Sequence, residues 1–316
     1  MSATPSNGSL LWRATDSWST NQLRQFWMSP EQRACLVDQT NPFFVGGFAL
    51  LMPDFWKNVD QLQQAFVTGG GVHRENFGEE WNCGFELASG PAFVNRLVQE
   101  WLPALPGVVS KLRNGGSMAD VGCGNGRALI EVAKAFPTAR LVGFDVHAPV
   151  LEQARANAEM ADVGDRITFL QGDAASGIPG SFDLITCHDV VHDLAQPVPA
   201  MTAIRKALAP GGTFFVLEFN LYSDLEDNIA HPFGLGAFGY SASLNFCMTT
   251  ALAEGGVGTG TCMGERRFRA FAAEAGFSRV DRLDIPNDPL HIFFSLRAEP
   301  ERWTEGRHGW PYAGKW

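Results

Sequence analysis

Apolar positions change period near residue 117. Before it, the clearest signal is helical: Phe93, Val94, Leu97, Val98 and Trp101 share one face, with Pro91 near the predicted start and Pro103 at the end. After it, short apolar runs alternate with amphipathic stretches. Strands are predicted at 118–121, 141–144, 167–170, 184–186, 213–219, 280–283 and 290–296. Helices are predicted at 127–135, 150–160 and 265–275, the last closed by Gly276. This alternation implies an α/β, Rossmann-like, doubly wound sheet of seven mostly parallel strands, preceded by a helical N-terminal segment.

Residues 222–262 interrupt the alternation, with many Gly and Phe and no clear period. A long irregular segment in a compact domain reads as a lid or binding loop, or more plainly as a surface loop. Gly69, Gly70 and Gly71 read as a flexible joint in the first hundred residues. The expected organisation is an N-terminal helical cover or dimerisation segment over 1–105, a ligand-binding domain over 106–297 with its lid at 222–262, and a tail over 298–316.

Composition narrows the partners. The net charge is −10, with no Lys/Arg run. That disfavours nucleic acid, whose phosphates need basic partners. The longest apolar run, residues 43–52, is too short to cross a bilayer and stops at Pro53. The first residues lack the basic-then-apolar order of a secretory signal. Six scattered cysteines form no CxxC pair, so their spacing indicates neither a zinc site nor a redox motif, and they suit a reducing compartment. The expectation is a cytoplasmic protein away from membranes, with a homodimer as one use of the N-terminal segment.

The chemistry-bearing motif is Asp120-Val-Gly122-Cys-Gly124-Asn-Gly126 between a predicted strand and helix. Glycines there allow a tight turn and close backbone approach to a ligand at a helix N-terminus. The next strand ends at Asp145, nineteen positions after Gly126, near the roughly twenty expected of a carboxylate reaching a ribose. The third strand ends at Gly172-Asp173, on the same sheet edge. A nicotinamide dinucleotide and S-adenosylmethionine both fit such an edge. Asp120 opposes a pyrophosphate and suits a cationic ligand, and G-x-G-x-G departs from G-x-G-x-x-G, so a dehydrogenase is disfavoured. Asp145 and Asp173 as plain turn or cap carboxylates is the bland alternative.

With these residues in order, followed by Phe182-Asp183 and Pro210-Gly211-Gly212, the chain resembles the class I S-adenosylmethionine-dependent methyltransferases over about residues 117–297. The resemblance implies that Asp120, Gly122, Gly124 and Gly126 hold the methionine portion. It implies that Asp145 meets the ribose, that Gly172 and Asp173 face the adenine, and that Val146 and Ala174 flank that ring; Cys187 and His188 complete the implied cofactor set. Residues 187–197, 238–241 and 247–252 are similar to a subgroup that often carries an N-terminal winged helix, and the early chain shows no helix-turn-helix. The implied activity is methyl transfer to a small-molecule acceptor; the rival is a non-catalytic or regulatory S-adenosylmethionine-binding protein.

Candidate catalysts follow the fourth strand: His188, His192 and Asp189, beside Asp193. A histidine there can accept a proton near neutral pH, its tautomer fixed by a neighbouring carboxylate; the bland alternative is a cap and a packed ring. Glu218, Tyr222, Phe233, Phe238 and Tyr240 are candidate acceptor contacts, and Phe43, Phe44, Phe48, Phe55, Trp56, Phe77 and Trp81 a candidate apolar roof or ordinary core. No metal is expected, the weighed alternative being Mg²⁺ on Asp189, Glu218 and Asn220. His231 and His291 read as packing or surface residues; His73, His147 and His308 carry no role.

Overall fold

A computed structural model describes residues 27–41, 43–232 and 234–297; Phe233, His308 and the expected tail at 298–316 lie outside these. The core is a seven-stranded sheet in the order β3-β2-β1-β4-β5-β7-β6. Its strands are β1 (Ser117–Val121), β2 (Arg140–Asp145), β3 (Ile167–Gln171), β4 (Phe182–His188), β5 (Leu208–Phe219), β6 (Arg279–Leu283) and β7 (His291–Arg297). The first five pair in parallel, and β7 runs antiparallel to both β5 and β6. Every residue of β1 is buried, as a central strand covered on both faces requires. Strand order reverses between β1 and β4, which puts the ligand crevice of an open α/β sheet at their carboxyl ends.

Helices cover both faces. On one, α5 (Val108–Arg113), α6 (Arg127–Ala135) and α7 (Ala148–Met160) pack Leu112, Leu129 and Leu151 against Met118, Leu141 and Leu184. On the other, α8 (Pro197–Ala207) and a C-terminal helix (Gly264–Glu274) pack Met201, Ile204 and Phe268 against Val216 and Phe294. Helix α8 has no counterpart among the helices predicted from the sequence. Pro197 sits in its first turn, where a missing N–H costs nothing, and Ala200, Met201, Ile204 and Ala207 bury one stripe.

The N-terminal region differs from expectation at Pro91. One helix begins at Glu79 and runs on through Phe93–Trp101, so Pro91 lies in its interior. Proline removes one i→i−4 bond, and the following turns take the wider π spacing. The other described N-terminal helices are α1 (Pro30–Leu36), α2 (Met52–Lys57) and α3 (Val59–Thr68), with α4 (Glu79–Ala92) opening the long one.

The segment at 222–262 is mostly helical: α9 (Leu225–Ile229), α10 (Leu235–Ala242), a π-helical turn (Ser243–Cys247) and α11 (Met248–Ala253), with the C-terminal Gly264–Glu274 helix as α12. Glycines at 234, 236 and 239 obscured its period in the sequence. A separate cluster of Leu51, Val72, Phe77, Trp81, Phe246 and Cys247 joins it to the N-terminal helices. Trp81 and Phe246 meet with centroids 4.3 Å apart, and the Val72 N–H donates to Thr249 Oγ1 at 2.9 Å. Burial of these rings, worth about 1.5–3 kcal/mol each, clamps the insertion over the strand ends.

Candidate active site

A cavity of about 740 Å³ opens at the carboxyl ends of β1, β2, β3 and β4, inside the size range of small-molecule sites. Its floor is the glycine loop. Gly122 has φ +71°, and a Cβ there would stand 2.5 Å from Val190 Cγ2, so only glycine fits both the turn and the packing. The Gly122 and Cys123 N–H groups donate to Phe144 O (2.8 and 3.0 Å), tying the loop to β2. A Cβ on Gly124 would meet nothing within 4 Å; that glycine faces open cavity. Gly126 does not line the cavity, since its Cβ position points at Phe169 and Ala154. It serves the close packing of α6 on its neighbours.

The acidic positions converge. Asp120 is 2% exposed and lines the cavity. Its Oδ1 accepts from Thr186 Oγ1 (2.5 Å) and faces His188 Nδ1 (3.1 Å). Asp145 accepts the Gly124 N–H on Oδ2 (3.0 Å) and the His147 N–H on Oδ1 (2.9 Å), so it braces the loop as well as bordering the cavity. Asp173 caps the next turn through the Ala175 N–H (2.9 Å) while also lining the cavity. The cap and ligand readings of Asp173 are therefore compatible. Val146, Gly172, Ala174, His188 and Asp189 line it too. Cys187 does not; it is fully buried inside the sheet, because the residue before His188 on β4 points to the opposite face.

The two candidate histidines differ. His188 has a side chain 5% exposed, ringed by Phe93 (centroids 5.1 Å) and Phe215 (5.9 Å), and its Nε2 has no hydrogen-bond partner. With Asp120 taking the Nδ1 proton, Nε2 is left as a lone-pair acceptor. His192 is 1% exposed and lies behind the cavity wall. Its Nδ1 meets Glu218 Oε2 at 2.5 Å and its Nε2 lies 3.2 Å from Asp193 Oδ1. Burial opposes its charge, but the facing Glu218 and Asp193 carboxylates hold its pKa well above the ordinary value.

Asp189 takes the left-handed region (φ +55°), unusual for a non-glycine residue. Its Oδ2 lies 3.5 Å from His291 Nε2, and its Oδ1 is buried without a partner. His291 in turn reaches Asp288 (2.9 Å), which pairs with Arg96 (2.6 Å). It is thus a partnered charge and not the loose packing residue its position suggested. Burial works against that charge, yet Asp189 and Asp288 push its pKa up to about 10.

The expected acceptor contacts lie elsewhere. Glu218 is buried against His192 and the Val191 N–H, off the cavity. Tyr222 and Tyr240 pack around Asn228, and Phe238 packs on Phe48 and Phe219; none of the three lines the cavity. Phe233 lies outside the described residues. None of the seven aromatics weighed as a roof lines it either. The wall is made instead by Phe85, Phe93 and Phe246, with Arg74, Asn82 and Thr250. The Arg74 guanidinium stacks 4.8 Å over Phe246 and holds Asn82, with Nη1 buried and unpartnered. Only the likeness of residues 247–252 to the subgroup hinted at Thr250; nothing local marked Arg74 or Asn82. Of the weighed metal set, Asn220 is engaged with the backbone of Pro289 and Leu290, while Asp189, His192 and Glu218 do cluster.

A crevice at the reversal of a parallel sheet, floored by a glycine loop and bordered by three strand-end carboxylates, is the ligand edge of an open α/β fold. Residues 112–245 match the family model described as a methyltransferase domain. Trans-aconitate 2-methyltransferase of Streptomyces avermitilis is 33% identical over 113 residues, covering 35% of this chain and 40% of that protein. The matched stretches span less than half the length of the first curated relatives, from 25% to 44%. An O-methyltransferase family protein of Burkholderia thailandensis superposes with a TM-score of 0.63 at 16% identity, covering 89% of this chain and 80% of that one. Human N-acetylserotonin methyltransferase, solved with S-adenosylmethionine, superposes with a TM-score of 0.59 at 18% identity, covering 85% and 75%. No described helix is long and apolar enough to cross a membrane.

Proposed function

We propose that this protein transfers a methyl group from S-adenosylmethionine to a small-molecule acceptor. The observation that carries this is the cavity itself: Asp120, Asp145 and Asp173 border one space with the glycine loop, although they come from three separate strand ends. The residues fit the cofactor. Asp120 would meet its ammonium, Asp145 the ribose hydroxyls and Asp173 the adenine amino group, with Val146 and Ala174 beside the ring. The cofactor supplies an activated methyl on a sulfonium, so the protein's task is alignment and water exclusion.

Acid–base work falls to His188, whose Nε2 takes the acceptor's proton while Nδ1–H stays with Asp120. Asp189, whose Oδ1 is buried without a partner, would receive a hydrogen bond from the acceptor. The non-catalytic alternative is separated by one experiment: labelled S-adenosylmethionine with a panel of phenol, amine, thiol and carboxylate acceptors, read by mass spectrometry. No methylated product in a protein that binds the cofactor would favour a regulatory role.

Finer expectations belong to the same proposal. Six free cysteines suit a cytoplasmic setting. The charge of −10 disfavours nucleic acid. The exposed Trp56, Phe66 and Val67 on α2 and α3 support a homodimer through the N-terminal segment.

A further inference from the structure

The cavity carries a positive charge that the cofactor does not explain. Asp120, Asp145, Asp173, Asp189 and Asp193 line it, which suits a cationic sulfonium and ammonium. Two arginines line it as well, Arg74 and Arg127. Arg127 is already paired with Glu86 and Glu131. Arg74 makes one side-chain hydrogen bond among the described residues, from Nη2 to Asn82 Oδ1 at 3.1 Å. A guanidinium carries five N–H donors, and Nη1 is buried without a partner. Burial pulls the Arg74 pKa down, and the fields of Asp145 and Asp193 only partly oppose this. The group still stays charged at neutral pH, and a desolvated charge with no paired anion is costly.

We propose that Arg74 and Asn82 bind a carboxylate on the methyl acceptor. This rests on the methyltransferase reading and names the acceptor's class. The guanidinium is a fork that matches a carboxylate bidentately. Asn82 gives its oxygen to Arg74, which leaves its NH₂ as a donor to the same anion. Both residues border the cavity. Arg74 is also held in place by the fold: its guanidinium stacks 4.8 Å over Phe246, and its turn, Arg74–Asn76, follows Val72, whose N–H is tied to Thr249 on α11. Donors fixed in advance lose little entropy on binding. Phe85, Phe93 and Phe246 line the same space, so the body of the acceptor is flat and apolar, as in an aromatic acid. The cofactor's own carboxylate has another partner. Helix α6 starts at the glycine loop with no side chain capping its first turn, Arg127 and Ala128 of that turn line the cavity, and a helix N-terminus suits an anion. The acceptor's carboxylate is a handle and not the methylated group, because an ionised carboxylate has no proton for His188 to take. The nucleophile is a second group, such as a phenol hydroxyl.

The test uses the full chain loaded with S-adenosylhomocysteine and titrated calorimetrically with salicylate and caffeate, each beside its primary amide. The amides keep the ring and hydroxyl and lack the charge. Wild type should prefer the acids. Arg74→Gln should weaken the acids by about 13- to 160-fold, the scale of hydrogen bonds to a charged group, and leave the amides nearly unchanged. Arg74→Lys keeps the charge without the fork and should fall between. Circular dichroism checks that each variant is folded. Wild-type protein that binds the acids no better than the amides, or a folded Arg74→Gln protein that keeps the preference, overturns the proposal. Weakened S-adenosylhomocysteine binding in Arg74→Gln with the acid preference intact also overturns it, and assigns the guanidinium to the cofactor's carboxylate. Failure of the underlying reading looks different: the wild-type protein would then bind neither S-adenosylmethionine nor S-adenosylhomocysteine.

Discussion

Replacing Asp145 by alanine tests the cofactor site most directly, because the structure gives this carboxylate two duties. Its oxygens accept the backbone N–H of Gly124 at 3.0 Å and of His147 at 2.9 Å. It also borders the cavity at the position proposed for the ribose. The methyl of alanine removes an ionised acceptor, and hydrogen bonds to charged groups contribute about 1.5–3 kcal/mol. On that scale S-adenosylmethionine should bind about 13- to 160-fold more weakly. The two freed N–H groups sit at the half-buried cavity edge where water can replace the carboxylate, so the fold should survive with a small loss of stability. Asp145→Asn separates the duties: its amide oxygen can still accept one backbone N–H, but its NH₂ opposes the other donor, so it should fall between wild type and alanine. The assay is calorimetric titration with S-adenosylmethionine beside circular dichroism of both variants. Binding by a folded Asp145→Ala protein within threefold of wild type would refute the assignment. Loss of the fold would show that bracing the loop is the residue's main role.

His188→Ala should lower turnover by about 10²–10⁴-fold with cofactor affinity unchanged; a weaker cofactor Kd at intact kcat would make His188 a cofactor contact instead. Gly122→Ala should cost about 2–5 kcal/mol from its left-handed backbone and the overlap with Val190, read by urea unfolding, and Val190→Ala in the same chain should restore part of it. His291 gives a pH signature. Its pKa is about 10 in the folded chain against an ordinary 6.5, so its charged contacts stabilise fully below about pH 6.5 and are lost as pH rises through about 10. The stability gap between wild type and His291→Gln should therefore be larger at pH 6 than at pH 10, and a gap that grows with pH would sink this reading.

The alternation of periods after residue 117, the glycine loop and the acids at 145 and 173 were legible because each is a local pattern. Strand pleat, helix pitch and a tight turn constrain residues only a few positions apart, and the parallel sheet follows from their order. Most element edges were shifted by a residue or two, β5 began five residues before its predicted start, at Leu208, Pro91 concealed a continuous helix, and glycines hid the helices of 222–262. The walls of the cavity could not be read in this way. Arg74 and Phe246 meet across more than 170 positions, as do Arg96 and Asp288 across 192. No spacing rule links such residues, since their contact depends on how helices close over the sheet.

The sequence alone likewise set His188 and His192 side by side as candidate catalysts. Only the folded chain set one at the cavity lining with an unpartnered nitrogen and buried the other between carboxylates, because the strand ends at His188 and the following short turn carries His192 behind the wall. Cys247, marked in the sequence only by the likeness of residues 247–252 to the subgroup, comes near His192 through the same closure. Local period determined which elements form; burial and long-range packing decided which side chains share a space and what charge each carries there.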